Sequence, residues 1–237
     1  MDELYLYTTL AILPLIILTL IAGARVKIKF SKYSKEKTLS GLTGAEAARK
    51  ILDAHNLFDV QIVKIGGKLS DNYNPKTNVV SLSAEVYDGT SVASVAVAAH
   101  EVGHAIQHDE EYFPVKLRSF LVPVCTLTSN ASMPLLLIGI LLEIFLSNLP
   151  LANIFFFLGI SCYAMYALFT LVTLPVEFNA SRRAGENLVG YGVIDARDER
   201  KVNDMLRVAG MTYVMSFAMA LLQLLRIVAI FGGRKKD

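Results

Sequence analysis

Long apolar stretches constrain the fold of this chain more than any other feature of its sequence. Residues 4–24 carry no charge, and residues 119–176 carry only Glu143. Residues 210–233 are apolar except at two positions. A helix needs roughly 20 apolar residues to cross a bilayer. The three stretches therefore predict one span, a two-span hairpin and a fourth span near the C-terminal end.

The two spans of the hairpin are predicted near residues 121–142 and 151–174, with a turn at residues 147–150. The first apolar stretch follows acidic residues and is longer than the apolar core of a typical cleaved signal peptide. We therefore interpret it as an uncleaved anchor. Cys125 and Cys162 fall within the hairpin, where a packing role is expected.

Basic residues predict the orientation of the spans. Residues 25–118 contain thirteen Lys and Arg and residues 175–207 contain six, whereas the hairpin turn contains none. Because cytoplasmic loops are rich in Lys and Arg, both charged segments are predicted to be cytoplasmic. The basic residues at 234–236 conflict with this orientation if residues 210–233 span. The alternative is a C-terminal helix that packs against the bundle or re-enters, and the larger number of basic residues favours the span.

These assignments divide the chain into six segments. Residues 1–24 form the first transmembrane helix, residues 25–118 a cytoplasmic catalytic region, residues 119–176 the transmembrane hairpin, residues 177–209 further cytoplasmic helices, residues 210–233 a fourth transmembrane helix, and residues 234–237 a basic tail. The two cytoplasmic segments are together long enough for one compact domain with its own core.

Local signals predict both helices and strands in this domain. The T-x-x-E pattern at residues 43–46 is a capping box that opens a helix. Apolar residues at 60–65 and 79–82 indicate strands. Ser91 is a candidate N-cap for a helix over residues 91–108, and charges on both sides make it too short for a span. It is therefore predicted to be a core helix of the soluble domain.

The helix predicted over residues 91–108 carries an H-E-x-x-H motif. His100 and His104 are four residues apart and so lie on one face of a helix. Neutral imidazoles are good zinc ligands, and an open zinc site activates a water. Glu101 is then placed to act as the general base. The plain alternative, a helix that carries these three residues by coincidence, is disfavoured by the specificity of the motif.

A catalytic zinc usually has three protein ligands. His108 is the nearest further candidate, but on a straight helix it lies roughly 12 Å along the axis from His100, so it could bind only if the helix broke after the motif. Glu177 is the better candidate, because two predicted spans separate it from the motif and an even number returns the chain to the same side. The alternative is that Glu177 pairs at the interface with Arg182 or Arg183.

The chain resembles the YugP-type family of bacterial membrane zinc metallopeptidases over nearly its whole length. More distantly it is similar to the HtpX-type and prenyl-protein-processing membrane gluzincins. The regions that carry the resemblance are residues 32–34, 41–48, 70–75, 98–108 and 177–181. The resemblance implies an α-helical multi-pass membrane protein with a small α+β zincin-like (gluzincin) catalytic domain. It also implies one Zn²⁺ per chain, held by His100, His104 and Glu177.

In the wider gluzincins a Glu-x-x-x-Asp element follows the motif helix, and its Asp braces a ligand His. Glu177 matches the Glu of that element, whereas Ser181 stands where the Asp would be. A metal-bound His almost always has such a partner. Ser181 could still supply a hydrogen bond, and Asn179 is a further candidate for this supporting role.

Further residues are candidates for the cleft. Peptide hydrolysis requires a donor for the oxyanion, and the candidates are Tyr73, His108, Tyr112 and Arg182. The resemblance suggests that Asn72 and residues 79–82 border the cleft, where Val79, Val80 and Ser81 could pair as an edge strand with an extended substrate. The alternative for Asn72 is an Asx turn that fixes its loop.

The sequence thus predicts a membrane-bound zinc-dependent endopeptidase in a bacterial-type cell membrane. Zinc-activated water would hydrolyse peptide bonds of membrane proteins or membrane-proximal peptides, with Glu101 as base. The expected partners are this substrate and the lipid bilayer, and no nucleic-acid signature is present. The alternatives are a non-catalytic zinc-binding membrane scaffold and an intramembrane-cleaving metalloprotease with its site at bilayer depth.

Overall fold

The structure is a computed structural model that describes residues 3–147 and 149–231. Its elements in chain order are α1 (Glu3–Tyr33), α2 (Gly44–Ala54), β1 (Gln61–Ile65), β2 (Asn72–Asn74), β3 (Val79–Ser83), α3 (Ala84–Tyr87), α4 (Val92–Asp109), α5 (Phe113–Leu146), α6 (Leu149–Gly190) and α7 (Ala196–Phe231). Asn148 in the predicted hairpin turn, residues 232–233 of the predicted fourth span and the predicted basic tail lie outside the described residues.

The chain forms two compact units, each assembled from separate segments. The α-helical unit comprises Met1–Leu20, Leu117–Thr173 and Tyr213–Asp237, and the α+β unit comprises Ile21–Lys116 and Leu174–Thr212. The fold is therefore mostly helical, with a small sheet confined to the α+β unit.

Four helices, α1, α5, α6 and α7, are long and apolar enough to cross a membrane. Large apolar side chains point outward from them in the α-helical unit, and Leu13 and Phe145 are 64% and 75% exposed. Monomeric soluble proteins rarely expose apolar surface on this scale. Length, composition and exposure together indicate a multi-pass membrane protein, with α7 as a candidate fourth span.

Inside the α-helical unit, a small apolar cluster joins α5, α6 and α7. Its buried members are Leu136, Ala152, Phe156 and Ile227. The rings of Phe156 and Phe231 stack with their centroids 4.6 Å apart. Such aromatic pairing adds to the packing of helices that have no hydrophobic effect to hold them together in lipid.

Helix α6 differs from the sequence prediction. The prediction started a new helix at Glu177, whereas α6 runs without a break from Leu149 to Gly190, with Pro175 inside it. Proline removes one backbone donor and usually bends a helix, but it does not end the helix here. Glu177 therefore lies on the same helix as the second span of the predicted hairpin.

The three strands of the α+β unit form a sheet in the order β1-β3-β2. β3 pairs in parallel with β1 and antiparallel with β2, so that Val80 lies between Ile62 and Tyr73. The prediction that residues 79–82 form an edge strand is therefore wrong, because both edges of β3 are paired. Val80 and Leu82 are fully buried, and this alternation of apolar residues does not distinguish a central strand from an edge strand.

Helix α4 lies in the core of the α+β unit, where α2 packs against it. The predicted capping box of α2 is confirmed, with Thr43 and Glu46 each accepting a backbone N–H of the other. Ser91 is the N-cap of α4, and its hydroxyl accepts from Ser94 N at 3.1 Å. Most of α4 is buried and it is not among the four candidate spans, which confirms its prediction as a core helix.

Candidate metal centre

Helix α4 and the part of α6 that belongs to the α+β unit bring three possible metal ligands together. His100 and His104 project from α4, and Glu177 projects from α6. Glu177 Oε2 lies 3.4 Å from His100 Nε2 and 3.6 Å from His104 Nε2. One donor atom from each residue lies within 4.8 Å of the others. The structure thus unites the three residues that the sequence predicted as ligands.

The spacing and chemistry of these atoms fit a zinc ion. Tetrahedral zinc with ligands at about 2.0–2.1 Å places neighbouring ligand atoms roughly 3.3 Å apart. The two distances from Glu177 Oε2 are close to that value. Glu177 is only 2% exposed, and a buried carboxylate requires a nearby cation or hydrogen-bond donors. Two imidazoles and a carboxylate are also a known catalytic zinc set.

A glycine allows the two helices to approach. A Cβ atom at Gly103 would lie 2.8 Å from the carbonyl oxygen of Ala180, which is closer than real Cβ contacts. Ala180 is itself fully buried. The absent side chain at Gly103 therefore lets α4 lie directly against the segment of α6 that contains Glu177 and Ser181. Gly103 is the second variable position of the H-E-x-x-H motif, and this role was not predicted from the sequence.

His104 is held by a residue that sequence analysis did not single out. Its Nδ1 lies 3.0 Å from Gln107 Oε1. The side chain of Gln107 is fully buried, and its Nε2 donates to the carbonyl of Val176 at 2.8 Å and to Asn179 Oδ1 at 2.9 Å. The sequence signal for this contact was the spacing of His104 and Gln107, because residues three apart face each other on a helix.

His100 has the partner that the sequence offered as a candidate. Ser181 Oγ lies 3.3 Å from His100 Nδ1. Asn179 acts less directly, since its Oδ1 accepts from Gln107 and from Arg183 Nε. Both imidazoles thus use Nδ1 for a protein hydrogen bond and turn Nε2 toward Glu177.

Glu101 lies between the two histidines on α4 and is 9% exposed. Burial raises the pKa of Glu101; the neighbouring imidazoles oppose this rise, and the carboxylates of Glu177 and Asp71 add to it. Burial is the largest single influence on the pKa of His104 and lowers it, but the hydrogen bond and charge of Glu177, the charge of Glu101 and the hydrogen bond with Gln107 together outweigh burial and raise that pKa. The charges of the motif and of Glu177 are therefore closely coupled.

Three of the candidates for the oxyanion donor, Tyr73, His108 and Arg182, have other contacts. Tyr73 donates its hydroxyl to Asn78 Oδ1 at 2.8 Å, and its ring lies 5.7 Å from that of His108. Helix α4 continues through His108 without the break that metal binding by this residue would need, and His108 is not in the described ligand group. Arg182 pairs with Glu186 at 2.7 Å on an exposed face of α6.

The residues predicted at the edge of the cleft lie on two different strands. Asn72 is exposed on β2, and its Nδ2 donates to the carbonyl of Ser70 at 2.9 Å. This local contact is not the predicted Asx turn, in which Asn72 Oδ1 would accept from the backbone two residues on. Val79, Val80 and Ser81 belong to the central strand β3. Their contribution to substrate binding stays a prediction.

Comparison with known proteins agrees with this chemistry. Residues 8–232 match the family described as "Putative neutral zinc metallopeptidase". A protein of Bacillus subtilis (strain 168) named "Putative membrane protease YugP" is 43% identical over 235 residues, which cover 99% of this chain and 100% of that protein. No solved structure gives a significant match. The match over nearly the whole chain shows that it belongs to this family of neutral zinc metallopeptidases.

Proposed function

We propose that this protein is a multi-pass membrane endopeptidase whose zinc ion is held by His100, His104 and Glu177. The observation that carries the proposal is the convergence of these donors from α4 and α6. Zinc bound there would act as a Lewis acid, able to polarise the scissile carbonyl and to lower the pKa of a water. Three protein ligands are the usual number in a catalytic site, which keeps a position open.

Glu101 is the proposed general base. It accepts a proton from the water that attacks the peptide carbonyl, and it then delivers that proton to the leaving amine as the C–N bond breaks. Its place between the two ligand histidines supports this role, and its burial keeps bulk water from competing for the proton. A structural zinc usually has four protein ligands and needs no base, so the scaffold alternative leaves Glu101 unexplained.

We place the site on the cytoplasmic side and propose membrane proteins or membrane-proximal peptides as substrates. The basic residues of segments 25–118 and 175–207 support the orientation. The substrate class is supported by α6, because Glu177 follows directly after the apolar part of this helix. The name of the Bacillus relative, a membrane protease, is consistent with the same class.

The first test is the zinc stoichiometry of the purified protein beside a Glu177→Ala variant. The matched control is Glu186→Ala, which removes an exposed carboxylate from the same helix. We expect one zinc per wild-type and control chain, much weaker binding in the folded Glu177→Ala variant, and peptide cleavage by wild type that a chelator blocks. Unchanged zinc binding in Glu177→Ala would exclude Glu177 as a ligand. Zinc binding without any cleavage would favour the scaffold.

The proposed orientation has a separate test. Asp109 is exposed at the end of α4, so Asp109→Cys in a background of Cys125→Ala and Cys162→Ala offers one accessible thiol. A membrane-impermeant maleimide should label it in inverted vesicles and not in intact cells. Labelling of intact cells would contradict the cytoplasmic placement. Absence of maleimide labelling in both intact cells and inverted vesicles would favour the intramembrane alternative.

A further inference from the structure

The amide of Gln107 lies where α4 meets α6, and all of its hydrogen-bonding atoms face protein groups. The residue is fully buried, one turn after His104. Its Nε2 lies 2.8 Å from the carbonyl oxygen of Val176 and 2.9 Å from Asn179 Oδ1, and its Oε1 lies 3.0 Å from His104 Nδ1. One buried side chain thus contacts a candidate ligand on α4 and the backbone next to Glu177 on α6.

The orientation of this amide is fixed by groups that cannot exchange roles. A backbone carbonyl only accepts hydrogen bonds, so the NH₂ group of Gln107 must face Val176. Asn179 is fixed in the same way, because the guanidinium of Arg183 only donates and lies 2.7 Å from Asn179 Oδ1. The two hydrogens of the Gln107 NH₂ group therefore match two acceptors. Its oxygen must then face His104.

This orientation selects one tautomer of His104. Gln107 Oε1 can only accept, so the hydrogen of a neutral His104 must lie on Nδ1. The lone pair is then on Nε2, the atom that faces Glu177. A metal ligand needs its lone pair on the nitrogen that faces the metal, and a partner on the other nitrogen fixes this arrangement.

We propose that Gln107 is a positioning residue that holds His104 in its zinc-binding tautomer and orientation while it fixes the α6 backbone beside Glu177. The inference rests on the proposed zinc site. The hydrogen-bond network that holds Gln107 continues beyond Asn179, since Arg183 also donates to Glu110 Oε2 at 2.6 Å. Gln107 is thereby anchored by a chain of hydrogen bonds that ends at the surface, where the Glu110 side chain is 46% exposed.

The experiment compares zinc affinity, stability without metal and the visible spectrum of the Co²⁺-substituted protein. Gln107→Leu keeps the approximate size and removes every hydrogen bond, so we expect zinc affinity to fall about 10–100-fold and the cobalt spectrum to change. Gln107→Glu keeps an acceptor for His104 Nδ1, so it should recover most of the affinity even if it is less stable. Gln107→Met replaces Gln107→Leu if the latter does not fold, with the same expected loss.

Ser94→Ala is the matched control, because Ser94 is a buried, hydrogen-bonded residue on the same helix that bonds Ser91 and the Glu85 carbonyl. It should lower stability without changing zinc affinity. Wild-type affinity and spectrum in Gln107→Leu, or an equal affinity loss in Ser94→Ala, would overturn the inference. A wrong zinc site would give a different result from a wrong role for Gln107. In that case the wild type would not bind zinc, or Glu177→Ala would bind zinc as tightly as the wild type.

Discussion

Ser181 Oγ lies 3.3 Å from His100 Nδ1, one turn of α6 beyond the candidate ligand Glu177. A hydroxyl brings no charge to this hydrogen bond, and charged acceptors make stronger ones. The contact is also longer than the 3.0 Å contact between Gln107 and His104. The two histidines are therefore supported unequally.

Removal of the weaker support should have the smaller effect. We expect Ser181→Ala to lower zinc affinity by about tenfold or less, a smaller loss than in Gln107→Leu. Ser181→Asp supplies a charged acceptor and should bind zinc at least as tightly as wild type. Competition with a chromogenic chelator measures the zinc affinity of all three variants. A greater loss in Ser181→Ala than in Gln107→Leu would contradict the proposed order.

Glu101→Gln separates proton transfer from metal binding. The amide cannot accept the proton from water, so hydrolysis should fall by about 100-fold or more. The zinc content should stay at the wild-type level, because Glu101 is not in the ligand group. Metal analysis and peptide cleavage on the same sample provide both readouts. Loss of zinc, or retained cleavage, would exclude Glu101 as the base.

Gly103→Ala should weaken the contact between α4 and α6. The added methyl group would meet the Ala180 carbonyl at 2.8 Å, and backbone cannot move aside as a side-chain end can. We expect a loss of about 1–3 kcal/mol in the free energy of unfolding and weaker zinc binding. Gly190→Ala is the control, because nothing lies within 4 Å of its added Cβ. Equal melting temperatures for the two variants would argue against the close approach.

Removal of zinc should abolish cleavage without unfolding the protein. The ligand side chains contact each other, and the surrounding α+β unit has a core of buried apolar residues on α2, α4 and the sheet. Circular dichroism should therefore show the same helix content before and after chelation, and added zinc should restore activity. Collapse of the helical signal on chelation would instead indicate a structural metal.

The ion pair between Arg183 and Glu110 predicts a small dependence of stability on pH. The hydrogen bond from Arg183 holds the pKa of Glu110 below its ordinary value of 4.5. A carboxyl with a lowered folded pKa contributes stability that is complete above its unfolded pKa and is lost as pH falls through the folded value. Glu110→Gln should therefore cost less than about 1 kcal/mol at neutral pH. That difference should shrink below about pH 4 in thermal melts, and a constant difference would argue against the pair.

The parts of the site that depend on local spacing could be predicted from the sequence. His100 and His104 share a face because they are four residues apart on one helix, and the parity of the predicted spans pointed to Glu177. Spacing could have placed Gln107 beside His104, but its contact with α6 could not be predicted, because Val176 lies 69 positions away. The central place of β3 could not be predicted either, since its alternating pattern fits both a central and an edge strand.

The ligands also have an order in time, because a chain is synthesised from its N-terminus. His100 and His104 are made before the α5–α6 hairpin, and Glu177 is made only after the apolar part of α6. A nascent chain that stops within the hairpin contains two of the three ligands. A ribosome-bound chain of that length therefore cannot complete the proposed centre, and zinc-dependent chemistry at this site has to wait until the hairpin has been synthesised.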